Sequence, residues 1–229
     1  MSNLIIISGT NGVGKSTFGN YLKTHYNTSF INTDEFYKNL FGSLHKYSNE
    51  ELKAGTIGIR RLQNNYFNKQ QNFAVERILS NEKEVNNLID RAKSHNFKIS
   101  LVYIGIDTLE LSKRRIEQRF KEGGHNVKDD IIKENFNLGI QNFQKICSRV
   151  DYIVLYDNSK YGNDKYKKLL DARDGKIHFQ AQEQELHAWS KPFIESINTK
   201  VIATISINSK LQDFKTKNQN TIKPSSIER

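Results

Sequence analysis

Proline is almost absent from this chain, and cysteine, methionine and tryptophan each occur once in 229 residues. Pro192 and Pro224 both lie late, so no proline interrupts any helix or strand before residue 192. A lone cysteine, Cys147, excludes an internal disulfide and fits a reducing compartment. No apolar run approaches the roughly 20 residues that a membrane span requires, so no membrane partner is expected. The apolar stretch LIIIS at 4–8 runs into a glycine-rich loop and not into a small-residue cleavage site. It is therefore expected to be a strand and not a leader, with the cytoplasm as the default location.

Charge, by contrast, is unbalanced: 35 Lys and Arg face 25 Asp and Glu, a net +10. Part of the excess lies after Asn208, where Lys210, Lys215, Lys217, Lys223 and Arg229 outnumber Asp213 and Glu228. Another part lies at 113–121. Clustered cations attract nucleic acid through counterion release, but a basic balance also suits a protein that binds polyphosphate nucleotides. No nucleic-acid-binding motif accompanies the charge, so a nucleic-acid partner is not the expectation.

Short β-rich runs alternate with amphipathic stretches as far as residue 158, the pattern of a parallel sheet with crossover helices. Strands are expected at Leu4–Ser8, Ser29–Asn32, Asn72–Val75, Lys98–Ile106 and Asp151–Tyr156. Helices are expected at 15–26, 49–69, 82–95, 109–122 and 129–148. The fold class is thus α/β, a five-stranded, mostly parallel sheet flanked by helices. Residues 1–158 form the expected core domain. Residues 159–207 read as a C-terminal extension packed on it through Trp189 and Phe193, with a helix at 163–171 and strands at 176–180 and 201–207. Residues 208–229 read as a basic, disordered tail.

Each expected strand after the first is followed closely by an acid: Asp34, Glu76, Asp107 and Asp157. In an open parallel sheet the carboxyl ends of the strands ring the ligand crevice. Asp107 is expected to cap the helix starting near Leu109, and Asp157 to begin a turn. Asp34 and Glu76 are the functional candidates.

Residues 9–17 read GTNGVGKST. Gly9, Gly14, Lys15 and Ser16 match GxxxxGK[ST], placed between a strand and a helix, the context that gives this pattern meaning. The loop of Gly9, Thr10, Asn11, Gly12, Val13, Gly14, Lys15, Ser16 and Thr17 is expected to cradle the phosphates of ATP. In it Lys15 reaches the β and γ phosphates and Ser16 ligates Mg2+. A GTPase should also carry a guanine-reading NKxD; Asn68-Lys69-Gln70-Gln71 lacks the acid. A motor ATPase needs a larger body. A small phosphotransferase remains, which requires a base at the acceptor, cations over the migrating group and a lid.

Asp34, in FINTDEF, is the candidate base; a short helix at 35–40 with Asp34 as its cap is the alternative. KRRIEQRFK at 113–121 supplies cations, with Arg115 and Arg119 one turn apart; a solvated surface helix is the alternative there. Gly123 and Gly124 permit a hinge, and His125 follows.

With GTNGVGKS, FINTDEF, FAVERILS, ELSKRRIEQRFKEGGHNV and LYDNS together, residues 3–158 resemble the zeta toxin family of P-loop kinases, most closely its short stand-alone bacterial members. The resemblance implies ATP-dependent phosphorylation of a sugar hydroxyl of a nucleotide sugar such as UDP-N-acetylglucosamine, in a toxin–antitoxin setting with an antitoxin as possible partner. It puts the phosphate-binding lysine on Lys15, the Mg2+-binding hydroxyl on Ser16, the catalytic aspartate on Asp34, the substrate-binding glutamate on Glu76 and the lid arginine on Arg115. Arg119 and the GGH of 123–125 follow. Two departures from the family pattern stand out. Arg77 and Ile78 stand where threonines are usual, and Asn135 stands where a phosphate-binding arginine is usual, with Lys133 and Arg114 as the nearest substitutes. A kinase acting on a nucleotide or nucleic-acid end, and a nucleotide-binding regulator with little transfer, are the competing readings.

Overall fold

The computed structural model describes residues 1–42, 47–122, 127–162 and 165–199. Apolar, β-branched NLIIIS forms β1 (Asn3–Ser8), with Leu4, Ile6 and Ile7 fully buried. It is followed by α1 (Lys15–Tyr26), β2 (Ser29–Ile31), α2 (Thr33–Phe41), α3 (Asn49–Asn68), β3 (Phe73–Glu76) and α4 (Glu82–Ser94). Then come β4 (Lys98–Gly105), α5 (Leu109–Lys121), α6 (Asp129–Ile146), β5 (Tyr152–Asp157), β6 (Lys167–Arg173) and β7 (Lys176–Gln180). A helical segment at 191–199 ends the described chain.

One sheet runs in the order β2-β3-β1-β4-β5-β6-β7. The first five of these strands pair in parallel, and β6 and β7 are added antiparallel. The α/β class is as expected, but the sheet has seven strands and not five. Alternate residues of β4 serve the two faces: Leu101 and Tyr103 join the larger core cluster with α3, α4 and α6, while Val102 and Ile104 join Val13 and Phe18 on the α1 side.

The expected helix at 163–171 is a correction: its second half is β6. Leu169 and Leu170 are fully buried, and Arg173 pairs with Lys176 across the two-residue turn Asp174-Gly175. Both turn residues have positive φ, 48° and 75°, the twist that joins antiparallel strands tightly. The Asp-Gly pair is the hairpin signal that outweighs the short helical spacing before it.

Two caps also differ from expectation. β2 ends at Ile31, and α2, absent from the expected set of main helices, begins at once with Asn32 as its cap, Oδ1 accepting from Glu35 N at 3.0 Å. Asp34 therefore lies inside the first turn and is not the cap. Thr108, not Asp107, caps α5, its hydroxyl accepting from Leu111 N. Asp107 instead meets His187 Nδ1 at 3.0 Å. Asp157 accepts from Ser159 N and Oγ and from Trp189 Nε1, holding the turn after β5.

Gly55 of α3 matters for the site. A Cβ there would lie 2.3 Å from the Tyr37 ring, so glycine lets α2 press against α3. Tyr37 then lines a cleft together with Thr56 and Arg60 of α3. Trp189 and Phe193 bury against Tyr103, with Phe193 and Tyr103 centroids 4.2 Å apart. The expected strand at 201–207, the tail at 208–229 and the Gly123-Gly124-His125 hinge lie outside the described residues.

Candidate active site

The glycine loop lies between β1 and α1, over the carboxyl edge of the sheet. Gly9 has φ +140°, and a Cβ on it would meet the Ile104 carbonyl oxygen at 2.1 Å, so no other residue fits. Gly14 has φ +96° and would collide with Asn158 Nδ2 at 2.6 Å. The carbonyls of the loop are tied from outside by side chains. Asn158 Nδ2 donates to Val13 O and Tyr166 Oη to Gly14 O, both at 2.9 Å, and Ser112 Oγ donates to Asn11 O at 2.5 Å. Thr10 Oγ1 reaches Ile132 O at 3.4 Å. α1 starts at Lys15, so its positive end faces the loop.

Lys15 is 5% exposed, donates to Thr10 O at 2.7 Å and lies 3.7 Å from Glu76 Oε1. Burial pulls its ammonium below the ordinary lysine range, while Glu76 and Asp34 oppose the shift and Arg119 reinforces it. Glu76 extends from the end of β3 and takes hydrogen bonds on Oε2 from Ser16 Oγ at 2.7 Å and Asn32 Nδ2 at 3.2 Å. The resemblance implies substrate binding for Glu76; in the structure its carboxylate is bonded to the loop through Ser16.

Two clefts meet over this group. The first, about 290 Å³, is lined by Gly14, Ser16 and Thr17 of the loop, by Arg115 and Arg119 of α5, and by Asn158, Tyr161 and Tyr166. The second, about 380 Å³, opens between Asn11, Asn32, Asp34, Arg77 and Asn81. Gly12, Lys15, Glu76 and Arg119 line both. Asp34 is exposed on α2 and faces the second cleft only. The two α5 arginines separate: Arg119 faces both clefts, whereas Arg115 faces the first and lies over the Tyr161 ring, 4.9 Å from its centroid. The helical spacing makes them neighbours; it does not show that only one reaches the junction.

Asn135 reaches the loop, its Nδ2 donating to Asn11 Oδ1 at 2.8 Å. The position is at the site, but its amide is committed to the loop, and neither Lys133 nor Arg114 lines either cleft. Asn32, Tyr161 and Tyr166 were missed as site residues. LYDNS, with Asn158, marked the segment preceding the two tyrosines. Tyr166 follows in a Tyr/Lys-rich stretch with no spacing signal.

Hard oxygen donors suited to Mg2+ are present in the Ser16 hydroxyl and the Glu76 carboxylate, which already touch one another. Among the described residues no group of three or more His, Cys, Asp or Glu side chains could hold a metal by itself. A magnesium held largely by phosphate and water fits that donor set.

The model of the family described as Zeta toxin matches residues 2–168. This chain belongs to the Zeta toxin family. A Haemophilus influenzae protein described as uncharacterized is 29% identical over 135 residues, 58% of this chain and 91% of its own. The AvrRxo1-ORF1:ORF2 complex crystallised with ATP superposes with a TM-score of 0.63 at 17% identity, over 84% of this chain and 64% of that one. The PezAT toxin–antitoxin system of Streptococcus pneumoniae gives 0.61 at 17% identity, over 90% and 88%. At such identity these structures share the fold. The chain spans under two thirds of the AvrRxo1 chains it matches. No helix among the described residues is long and apolar enough to cross a membrane.

Proposed function

We propose that this Zeta toxin family member is an ATP-dependent kinase that transfers the γ-phosphoryl group to a sugar hydroxyl of a nucleotide sugar such as UDP-N-acetylglucosamine, as the toxin of a toxin–antitoxin pair. The observation that carries the reading is the sharing of Lys15, Glu76 and Arg119 by two clefts, one built on the glycine loop and the other containing Asp34. Catalysis of phosphoryl transfer is mostly positioning and charge neutralisation, and a junction of this kind supplies both.

In this reading the first cleft takes ATP. The loop and the positive end of α1 hold its phosphates, and Arg115 with Tyr161 flanks them. Lys15 leaves the Thr10 carbonyl to meet the migrating group, where Arg119 adds a second positive charge. Asp34 accepts the proton of the acceptor hydroxyl in the second cleft. Mg2+, when bound by Ser16 and Glu76 with the phosphates, neutralises charge on the leaving group. The ATP-bound AvrRxo1 structure and the PezAT system support the donor and the antitoxin setting by likeness of fold.

Radiolabelled ATP incubated with UDP-N-acetylglucosamine and a panel of other nucleotide sugars tests the reading. Label in a sugar nucleotide is expected from the unaltered protein and not from Asp34→Asn. No transfer to any member of the panel would remove the nucleotide-sugar acceptor. A second reading, a nucleotide-binding regulator with little transfer, is favoured by Asn135 in place of an arginine. It predicts tight ATP binding, negligible turnover, and turnover restored by Asn135→Arg; efficient turnover by the unaltered chain contradicts it.

A further inference from the structure

Beside the Asp34 cleft, and sharing Thr33, Arg77 and Glu84 with it, lies a third cleft of about 310 Å³. Its charged lining is Arg60 from α3, Arg77 after β3 and Arg91 from α4, against the single acid Glu84. The three guanidinium groups come from three separate elements and converge on one space, which costs electrostatic energy unless an anion is there to share them. Arg91 feels both neighbours: burial first, then Arg60 and Arg77, lower its proton affinity.

The arginines differ in how far the protein satisfies them. Arg91 is held by Gln63 Oε1 and Asn64 Oδ1, both at 2.7 Å, and lies over the Phe67 ring. Arg77, with its side chain 10% exposed, donates through Nη1 to Thr33 Oγ1 and Glu76 O. Its Nε is 3.2 Å from Glu84 Oε1 but is misaligned for a hydrogen bond, leaving a buried donor unsatisfied among the described residues. No hydrogen bond or ion pair joins exposed Arg60 to any described residue. The cleft is therefore lined by Arg91, fixed by two amides, by Arg77, paired with Glu84 and bonded to Thr33, and by Arg60, which no hydrogen bond or ion pair ties to a described residue.

We infer that the Arg60, Arg77 and Arg91 cleft is an anion subsite that seats a phosphate or diphosphate already carried by the acceptor, while the acceptor's hydroxyl lies in the adjoining cleft at Asp34. The inference rests on reading that adjoining cleft as the acceptor's. It gives Arg77, which lines both this cleft and the Asp34 cleft, a task at their boundary. An acceptor without phosphate would leave Glu84 as the single acid lining the cleft against three guanidinium groups.

Calorimetric titration with inorganic pyrophosphate, in the presence of a saturating non-hydrolysable ATP analogue and Mg2+ so that the glycine loop is already filled, tests the subsite without requiring turnover. Arg60 is the position to change, because it is exposed and bonds to nothing described, so its variants should fold. Saturable binding is expected, weakened at least about tenfold in Arg60→Glu and less in Arg60→Lys. Absence of binding with the loop filled, or equal binding by the unaltered chain and Arg60→Glu, overturns the inference. With any nucleotide sugar that proves to be an acceptor, Arg60→Ala should raise its KM about tenfold while kcat and the KM for ATP hold. An unchanged acceptor KM overturns the subsite and leaves the kinase standing. Pyrophosphate binding that depends on Arg60, with no nucleotide sugar phosphorylated, supports the subsite and removes that substrate class instead.

Discussion

The two sides of Lys15 are built by different means. On the loop side the backbone is the ligand surface: Gly9 and Gly14 occupy positions where a Cβ would collide, and Asn158, Tyr166, Ser112 and Asn135 tie the loop from outside. On the Asp34 side the surface is made largely of side chains from α2, α4 and the end of β3, and α3 lines the neighbouring arginine cleft. A backbone-built site has one solution and binds what many proteins bind. A side-chain-built surface can be altered residue by residue, so its chemistry depends on the particular side chains present.

Changes on the two sides should therefore fail differently, and the largest separation is expected at Asp34. Asp34→Asn should lower the transfer rate by about 10²- to 10⁴-fold, as loss of a general base does, with ATP binding retained. Rapid-quench transfer assays beside ATP titrations check it. Next come the α5 arginines. Arg119→Ala, at the junction, should reduce kcat by about 10²-fold, whereas Arg115→Ala, confined to the first cleft, should mainly raise the KM for ATP by about tenfold. Equal effects would break the distinction drawn between them. Gly14→Ala should cost about 1–3 kcal/mol through strain at φ +96° and displace Asn158, seen as a lower melting temperature together with loss of ATP binding. Asn135→Ala removes one hydrogen bond to Asn11 and should weaken ATP by about 1 kcal/mol, the smallest effect, measurable by titration.

The same contrast has a pH signature. Lys15 must be protonated to meet phosphate, and burial depresses its proton affinity in the free protein. Its charge is present at low pH and lost as pH rises through that depressed value, so kcat/KM for ATP should begin to fall below the ordinary lysine range near 10.5. Lys15→Arg should push any such alkaline limb upward, although the altered shape will lower the plateau.

This division also explains what was legible in the sequence. The loop, β1, α1 and the parallel frame follow from local pattern, since glycine spacing and apolar runs act over a few residues. Glu76 was located by the strand end that presents it, and Asp34 by its nearness to β2, although α2 carries it. The Asp174-Gly175 hairpin was legible too, but short helical spacing at 163–171 masked it. Convergence of Arg60, Arg77 and Arg91, the different clefts that Arg115 and Arg119 face, and the bond between Ser16 and Glu76 depend on which elements meet, and no single stretch of sequence encodes that.

Single-turnover transfer by Asp34→Asn, measured across a range of ATP concentrations with an acceptor used by the unaltered protein, tests most directly the claim that the clefts divide donor from acceptor at Lys15. A maximal rate reduced at least about 10²-fold, with half-saturation by ATP moved by no more than about twofold, is the expected result. An unreduced rate, or a rate that falls only because ATP no longer binds, would contradict it.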